Sequence, residues 1–108
     1  MEIIDKLEAI KTKWETLGEQ LNDPDIIADM KRFVKVNKDY KDLEPIVIAF
    51  KDYKNLLSNI DEAKELLKNE KDEEMREMAQ EELYIAEEKV VKVEEEIRLM
   101  LIPKDPTD

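Results

Sequence analysis

Apolar residues recur at alternating steps of three and four positions near both ends of this 108-residue chain. The first seam consists of Ile3, Leu7, Ile10, Trp14, Leu17 and Leu21. The last seam consists of Ala79, Leu83, Ala86, Val90, Val93, Ile97 and Met100. This spacing puts all members of a seam on one face of an α-helix, as at the a and d positions of a coiled coil. The pattern therefore predicts a helix up to about Leu21 and another from Glu73 to Leu101.

The segment between the two seams contains a break and a proline. At the break, Asp23 is placed to cap a new helix with Pro24 at its first position. We expect this second helix to run from about Pro24 to Asp42, with a looser apolar stripe of Ile27, Met30, Phe33, Val34 and Tyr40. Pro45 then forces a restart or a kink, because proline lacks an N–H and clashes with the preceding turn. The helical period resumes after Pro45, so one long bent helix and two separate helices both remain open.

A turn at residues 69–72 leads into the last helix, and Asp72 is its candidate N-cap. Short turns make consecutive helices antiparallel neighbours. The predicted fold is therefore all-α: an elongated antiparallel helical bundle or hairpin of three to four helices with coiled-coil character. We expect this helical domain to cover residues 1–102.

Two prolines, Pro103 and Pro106, follow the last helical pattern. Neither can continue a helix, and each restricts the residue before it. We expect residues 103–108 to begin a linker to a further domain, in which the chemistry of a longer protein would lie.

The composition excludes most kinds of catalytic and cofactor site. The chain has no Cys, no His and a single Gly, and its formal charge is −11. Without Cys and His it lacks disulfides, an imidazole base and the usual ligands of first-row metals. One Gly cannot form a glycine-rich phosphate loop, and no stretch is typical of a signal peptide or a membrane span. We expect a cytoplasmic, non-catalytic chain without cofactor or metal.

Several side chains have both a functional and a structural interpretation. Trp14 lies on the first seam, where we expect it in the core with its indole N–H at a polar edge, although a partner-binding role is the alternative. Tyr84 lies beside its seam and is the better candidate for an exposed aromatic residue. Gly18 either permits the close approach of a neighbour or is tolerated at a cost of about 1 kcal/mol. Four methionines fit the apolar stripes and are expected to fill gaps in the core, namely Met30, Met75, Met78 and Met100.

Runs of glutamate dominate the last third of the chain: Glu81–Glu82, Glu87–Glu88 and Glu94–Glu96. A carboxylate metal site in a helical bundle would combine such residues with histidines that face inward. Because His is absent and these glutamates flank the seam, we interpret them as a solvated helix face.

A local group of cations stands out in this acidic chain, formed by Lys31, Arg32, Lys35, Lys38 and Lys41. Lys31, Lys35 and Lys38 share one helix face, since they are spaced at i, i+4 and i+7. Such a face is a candidate contact for RNA phosphates or an acidic partner. The alternative is a solvated face that balances nearby aspartates.

The ending LIPKDPTD, at residues 101–108, resembles the segment with which the N-terminal domain of the bacterial peptide chain release factor 1 family leads into the next domain. Three internal segments are also similar to that family: LGEQLNDP at 17–24, LEPIV at 43–47 and MREMA at 75–79. The match covers the whole chain in order and spacing. The related family that reads a different pair of stop codons begins noticeably differently, so the resemblance favours release factor 1.

This resemblance implies a role in terminating protein synthesis at the stop codons UAA and UAG. Such a factor reads the codon with a tripeptide in its second domain and promotes hydrolysis of peptidyl-tRNA with a Gly-Gly-Gln loop. No Gly-Gly pair occurs in this chain, so no catalytic residue is carried over. In that family the helical N-terminal domain reaches toward the base of the large-subunit stalk and influences a recycling GTPase. The ribosome, including the stalk base and rRNA, and this GTPase are therefore the implied partners. Lys31, Arg32, Lys35 and Lys38 are the candidate contact residues.

A different class of protein fits the same residues without the resemblance. An acidic coiled-coil adaptor or a chaperone-like module would also have two long seams and would self-associate through them. The two interpretations differ in oligomeric state and in what the rest of the protein contains.

Overall fold

The computed structural model describes residues 2–103, and four α-helices account for most of them. The helices are α1 (Glu2–Gln20), α2 (Pro24–Ile27), α3 (Met30–Asn69) and α4 (Glu73–Met100). No strand occurs within residues 2–103, which confirms the predicted all-α class and number of helices. The chain divides into two compact units, Met1–Ile48 (unit 1) and Ala49–Asp108 (unit 2), so α3 contributes one part to each.

The two seams predicted from the spacing form the inner faces of α1 and α4. In α1, Leu7 and Leu17 are buried and the remaining seam residues are half-buried. In α4, the buried seam residues are Ala79, Leu83, Ala86 and Ile97. Met100, the last member of its seam, is exposed. The helix that carries this seam ends at Met100, one residue before the predicted end.

Within unit 1, α1 contacts the first part of α3 through aromatic rings. Trp14 and Tyr40 stack with their ring centroids 4.9 Å apart and their planes 13° apart. Gly18 lies one turn further along α1, and a Cβ atom placed there would be 3.0 Å from Cε1 of Tyr40. The structure therefore supports the first interpretation of Gly18, that it permits the close approach of a neighbour.

The prediction of one helix from Pro24 to Asp42 is wrong, because α2 ends at Ile27 and α3 begins at Met30. Asp23 caps α2 as expected, and its carboxylate accepts the N–H of Asp25 at 2.9 Å. A second aspartate then starts a new helix. The Asp29 carboxylate accepts the N–H of Arg32 at 3.3 Å, which satisfies a donor that the first helical turn leaves open.

α3 continues through Pro45, so of the two alternatives the structure contains one long helix and not two separate ones. Pro45 is exposed and has no N–H to donate to the carbonyl of Lys41. A proline inside a helix costs about 3 kcal/mol relative to alanine. The helix persists because side chains on both sides of the proline are packed: Tyr40 is half-buried in unit 1, and Ala49 and Phe50 are buried in unit 2.

Unit 2 contains an antiparallel helical hairpin, as the short turn predicts. Residues of α3 and α4 form a common core of Ile60, Ala63, Leu83 and Ala86, against which Leu67 and Val90 pack. The chain directions oppose each other, since the end of α3 at Leu67 contacts Arg76 near the start of α4. The two alanines leave the helices room to approach closely, which fits a coiled-coil-like contact.

The hairpin turn is held by side chains other than the one predicted. Asp72 occupies the N-cap position of α4, but its side chain makes no capping hydrogen bond, so that part of the prediction is wrong. The Glu70 carboxylate instead accepts the N–H groups of Lys71 and Asp72 at 3.1 and 3.0 Å. Arg76 donates through Nη1 to the carbonyls of Leu67 and Glu70. Its cation therefore satisfies carbonyls at the negative end of the α3 dipole.

The predicted linker begins directly after the described helices. The N–H of Leu101 donates to the carbonyl of Ile97 at 3.0 Å, and the N–H of Ile102 donates to that of Leu99 at 3.3 Å. Pro103 follows directly. Residues 104–108, which include Pro106, lie outside the described residues, so the linker stays a prediction.

Candidate functional site

Four cations predicted as contact residues lie exposed on the first turns of α3: Lys31, Arg32, Lys35 and Lys38. Asp29 sets their position, because its cap on the N–H of Arg32 determines where the helix begins. The first turn of α3 carries no acidic residue. Cations near a helix N-terminus oppose the helix dipole at a cost of a few tenths of a kcal/mol each. Helix stability therefore does not account for Lys31 and Arg32.

Two of the four cations are paired with aspartates of the same helix. Lys35 Nζ lies 3.4 Å from Asp39 Oδ2, and Lys38 Nζ lies 2.8 Å from Asp42 Oδ2. The hydrogen bond to Asp42 raises the pKa of Lys38, and attraction to the charges of Asp42 and Asp39 acts in the same direction. Both pairs are exposed, so each stabilises the helix only weakly.

The other two cations have no salt-bridge partner among residues 2–103. The side chains of Lys31 and Arg32 are exposed, and the hydrogen bond of Arg32 to Asp29 uses only its backbone N–H. The face thus combines two free cations with two balanced ones. The two balanced cations agree with the interpretation as a solvated face, and the partner contact stays a prediction.

Apolar side chains are exposed on this part of α3, which the sequence did not predict. Met30 is 73% exposed and Val34 57%, whereas the spacing predicts both on an apolar stripe. The inner face consists instead of the half-buried Phe33, Val36, Asn37 and Tyr40. Met30 and Val34 lie a turn apart beside this inner face, between it and the lysines. The stacking of Tyr40 on Trp14 decides this orientation, and a step of four alone does not reveal it.

The expectation that the methionines fill core gaps is wrong. Met30, Met75, Met78 and Met100 are all exposed by more than two fifths of their surface. Each lies at or near a helix end, where fewer neighbouring side chains are available to cover it.

The aromatic residues behave largely as expected. Trp14 is half-buried in its stack, in agreement with a core position, but its buried Nε1 has no hydrogen-bond partner among residues 2–103, contrary to the expectation. Tyr84 is 63% exposed, which confirms it as an exposed aromatic residue of α4.

The glutamate runs of α4 face solvent. Their members are exposed except Glu94, which is half-buried and bonds to Arg98 at 2.8 Å. Among residues 2–103, no group of three or more His, Cys, Asp or Glu side chains is arranged to hold a metal ion. Within the same range, none of the helices is long and apolar enough to span a membrane.

Comparison with known proteins places the chain in a family. A family model described as the PCRF domain matches residues 10–108. The chain is 51% identical over 106 residues to peptide chain release factor 1 of Parabacteroides distasonis, covering 98% of the chain and 29% of that protein. It is 47% identical to peptide chain release factor 1 of Clostridioides difficile, covering 98% of the chain and 30% of that protein. No solved structure matches the chain.

More distant relatives agree with these two. Peptide chain release factor 1 of Chlorobaculum tepidum is 41% identical to the chain, which covers 30% of that protein. The chain therefore spans less than a third of the length of the curated relatives it matches. Since the family model covers nearly all of its residues, the chain belongs to the PCRF domain family.

Proposed function

We propose that this chain is the helical N-terminal domain, residues 1–102, of a cytoplasmic translation termination factor. The observation that carries the proposal is the 51% identity over 106 residues to a protein named peptide chain release factor 1. The whole factor would direct release of the nascent peptide at UAA and UAG codons. The recognition of these two codons follows from the resemblance to release factor 1.

In this proposal the chain supplies contacts, and the chemistry belongs to other domains. Hydrolysis of peptidyl-tRNA would use a Gly-Gly-Gln loop, and the single glycine of this chain lies inside α1. The long helices α3 and α4 offer exposed surface without a metal-ligand cluster among residues 2–103. Such surface suits the proposed role of an arm that contacts the ribosome and the recycling GTPase.

The proposed ribosome contact is the basic face of Lys31, Arg32, Lys35 and Lys38, with the stalk base of the large subunit as its site. Two features support this choice. All four side chains are exposed, and Lys31 and Arg32 oppose the dipole of α3 without forming a salt bridge among residues 2–103. Charges kept at a cost in helix stability are better explained by a partner than by folding.

A peptide-release assay tests the termination function. The full-length protein that contains this chain is added to purified ribosomes with a labelled peptidyl-tRNA and UAA, UAG, UGA or a sense codon in the decoding site. We expect release at UAA and UAG only, and none from residues 1–108 alone. Absence of release by the full-length protein at both UAA and UAG would contradict the proposal.

A charge-reversal variant tests the contact face. In the full-length protein, changing Lys31, Arg32, Lys35 and Lys38 to Glu should weaken ribosome binding at low salt by about tenfold or more. The matched control reverses four exposed lysines elsewhere, Lys51, Lys64, Lys89 and Lys92, and so changes the net charge equally. Equal effects of the two variants would show that net charge, and not this face, governs binding.

The second candidate, an acidic coiled-coil adaptor, is favoured by the exposed apolar side chains of α4, such as Tyr84 and Val91. Sedimentation equilibrium distinguishes the adaptor from the proposed ribosome-contacting arm. A chain that is monomeric at micromolar concentration supports the arm, and an obligate oligomer supports the adaptor.

A further inference from the structure

The basic face of unit 1 also carries exposed apolar side chains, and this combination favours one kind of partner over others. On the basis of the ribosome contact proposed above, we infer that this face binds a protein surface in which apolar side chains are flanked by carboxylates, and that it does not bind RNA. The inference deepens the proposed function and rests on it. Met30 and Val34 are the central contacts, with Lys31 and Lys38 at their margin, three residues before and four residues after Val34.

The placement follows from helix geometry. Met30 and Val34 are four residues apart, so their side chains lie one turn apart on the same face of α3. Lys31 and Lys38 are seven residues apart and form a parallel row about 10 Å long beside them. Met30 is 73% exposed and Val34 57%, and all the cations are exposed.

Ile48 extends the apolar row within unit 1. It lies fourteen residues after Val34 on α3, an interval of nearly four whole turns, and is 57% exposed. Lys41 lies midway between them and is exposed. The face thus continues along the helix as exposed apolar side chains with lysines among them.

Phosphate binding is disfavoured by the charges on the face itself. RNA affinity comes mainly from cations that neutralise phosphates, and each free cation adds to it. Lys35 and Lys38 are already paired with Asp39 and Asp42, at 3.4 and 2.8 Å. These carboxylates lie on the same side of the helix as the lysines and would repel a phosphate backbone.

Base stacking is disfavoured as well. Proteins that hold single-stranded RNA present exposed aromatic rings to the bases. The aromatic residues of this part of α3, Phe33 and Tyr40, are half-buried, and the Tyr40 ring stacks on Trp14. The exposed apolar side chains beside them, Met30 and Val34, are aliphatic.

The same features match a protein partner. Interfaces between proteins typically have an apolar centre with a polar rim, and methionine adapts its shape to an opposing surface. At the margin of this apolar pair, Lys31 provides a positive charge that a carboxylate can pair with at no loss of an internal salt bridge among residues 2–103. Charge complementarity therefore points to an acidic rim on the partner.

Binding of the full-length protein to purified ribosomes with a UAA codon tests the inference. The variant Met30→Gln/Val34→Gln removes the apolar contacts and keeps all charges, and glutamine is a good helix former. We expect it to bind about tenfold more weakly, from the loss of two buried apolar side chains. We expect the dependence of affinity on salt to stay nearly unchanged. The control Tyr84→Gln/Val91→Gln alters two exposed side chains of α4 and should bind within about twofold of the parent.

The variant Lys31→Gln/Arg32→Gln separates the other outcomes. If RNA is the partner, this variant lowers the salt slope of the logarithm of affinity by about one for each phosphate that the protein no longer neutralises. That result, with Met30→Gln/Val34→Gln binding normally, would overturn the inference and leave the proposed ribosome contact intact. Normal binding by both variants would overturn the contact face altogether. No ribosome binding by the parent would overturn the proposed function and the inference with it.

Two checks keep these outcomes interpretable. The urea unfolding midpoint of each variant establishes that it folds, and Met30→Gln alone is the milder replacement if the double variant does not. A second copy of the chain as occupant would appear as a dimer that Met30→Gln/Val34→Gln abolishes, and that result also overturns the inference.

Discussion

Gly18 of α1 lies so close to Tyr40 of α3 that a Cβ atom at position 18 would be 3.0 Å from Cε1 of the ring. This distance is shorter than ordinary van der Waals contact, so a side chain at position 18 requires the ring to move. The stack on Trp14, with ring centroids 4.9 Å apart, restricts this movement. A glycine inside a helix is thereby explained by tertiary packing in unit 1.

Gly18→Ala should lower the free energy of unfolding, or at best leave it unchanged, although alanine favours a helix over glycine by about 1 kcal/mol. The displacement of the stacked Tyr40 ring offsets that gain. In a Tyr40→Ala background the same change should stabilise the protein by about 0.5 to 1 kcal/mol. Urea unfolding of the four proteins in this cycle measures both effects. A similar gain in both backgrounds would show that Gly18 and Tyr40 are not coupled.

Arg76→Leu should lower the free energy of unfolding by about 1 to 2 kcal/mol, because it removes hydrogen bonds to the carbonyls of Leu67 and Glu70 at the end of α3. Arg98→Leu is the control, since Arg98 forms an exposed pair with Glu94 within one helix and should cost about 0.5 kcal/mol. Chemical unfolding monitored by far-UV circular dichroism compares them. Equal losses would mean that the turn does not depend on the Arg76 cap.

Pro45→Ala should raise the free energy of unfolding by about 1 to 2 kcal/mol. Alanine restores the N–H that proline lacks inside α3, while the added freedom of the unfolded chain reduces the gain. Glu44→Ala, at the exposed neighbouring position, should change stability by less than about 0.5 kcal/mol. Thermal and urea unfolding provide the measurement. Destabilisation by Pro45→Ala would show that the proline is required for the observed course of α3.

Tyr53 should make stability fall at alkaline pH. Burial raises the pKa of this buried phenol above 10.0, Glu94 adds to the rise, and Arg98 opposes it. The unfolded chain then loses the phenolic proton at a lower pH than the folded chain. The stabilisation is complete below pH 10 and is lost as the pH rises through the folded-state pKa.

Tyr53→Phe should abolish the fall in stability that Tyr53 causes at alkaline pH. Tyr84→Phe changes an exposed site and should leave that fall in place. Urea unfolding of the three proteins between pH 8 and the alkaline range gives the comparison. Parallel curves for the parent protein and Tyr53→Phe would contradict the assignment to Tyr53. Lys38, whose pKa is also raised, loses its charge in the alkaline range and is common to all three proteins.

The spacing of residues in the sequence predicts much of the candidate site. Lys31, Lys35 and Lys38 are separated by four and three residues, a spacing that predicts one helix face. In the structure all three side chains are exposed on α3. The spacing did not reveal that Met30 and Val34 are exposed beside them. In a helix without a sharp stripe, only the neighbouring elements decide which apolar side chains are covered.

The helical class and the two long seams are predictable from spacing alone, because a helical period is a local pattern. The structure confirms both seams, with Leu7 and Leu17 buried in one and Leu83 and Ile97 in the other. Other features depend on contacts between residues that are distant in sequence. Packing on both sides of Pro45 keeps α3 whole, and the side chain of Arg76 reaches back to close the end of α3. Tyr40 stacks on Trp14 and thereby turns Met30 outward. Each of these features depends on a long-range contact whose free energy exceeds the local preference of the residues involved. A local period in the sequence does not encode such a contact.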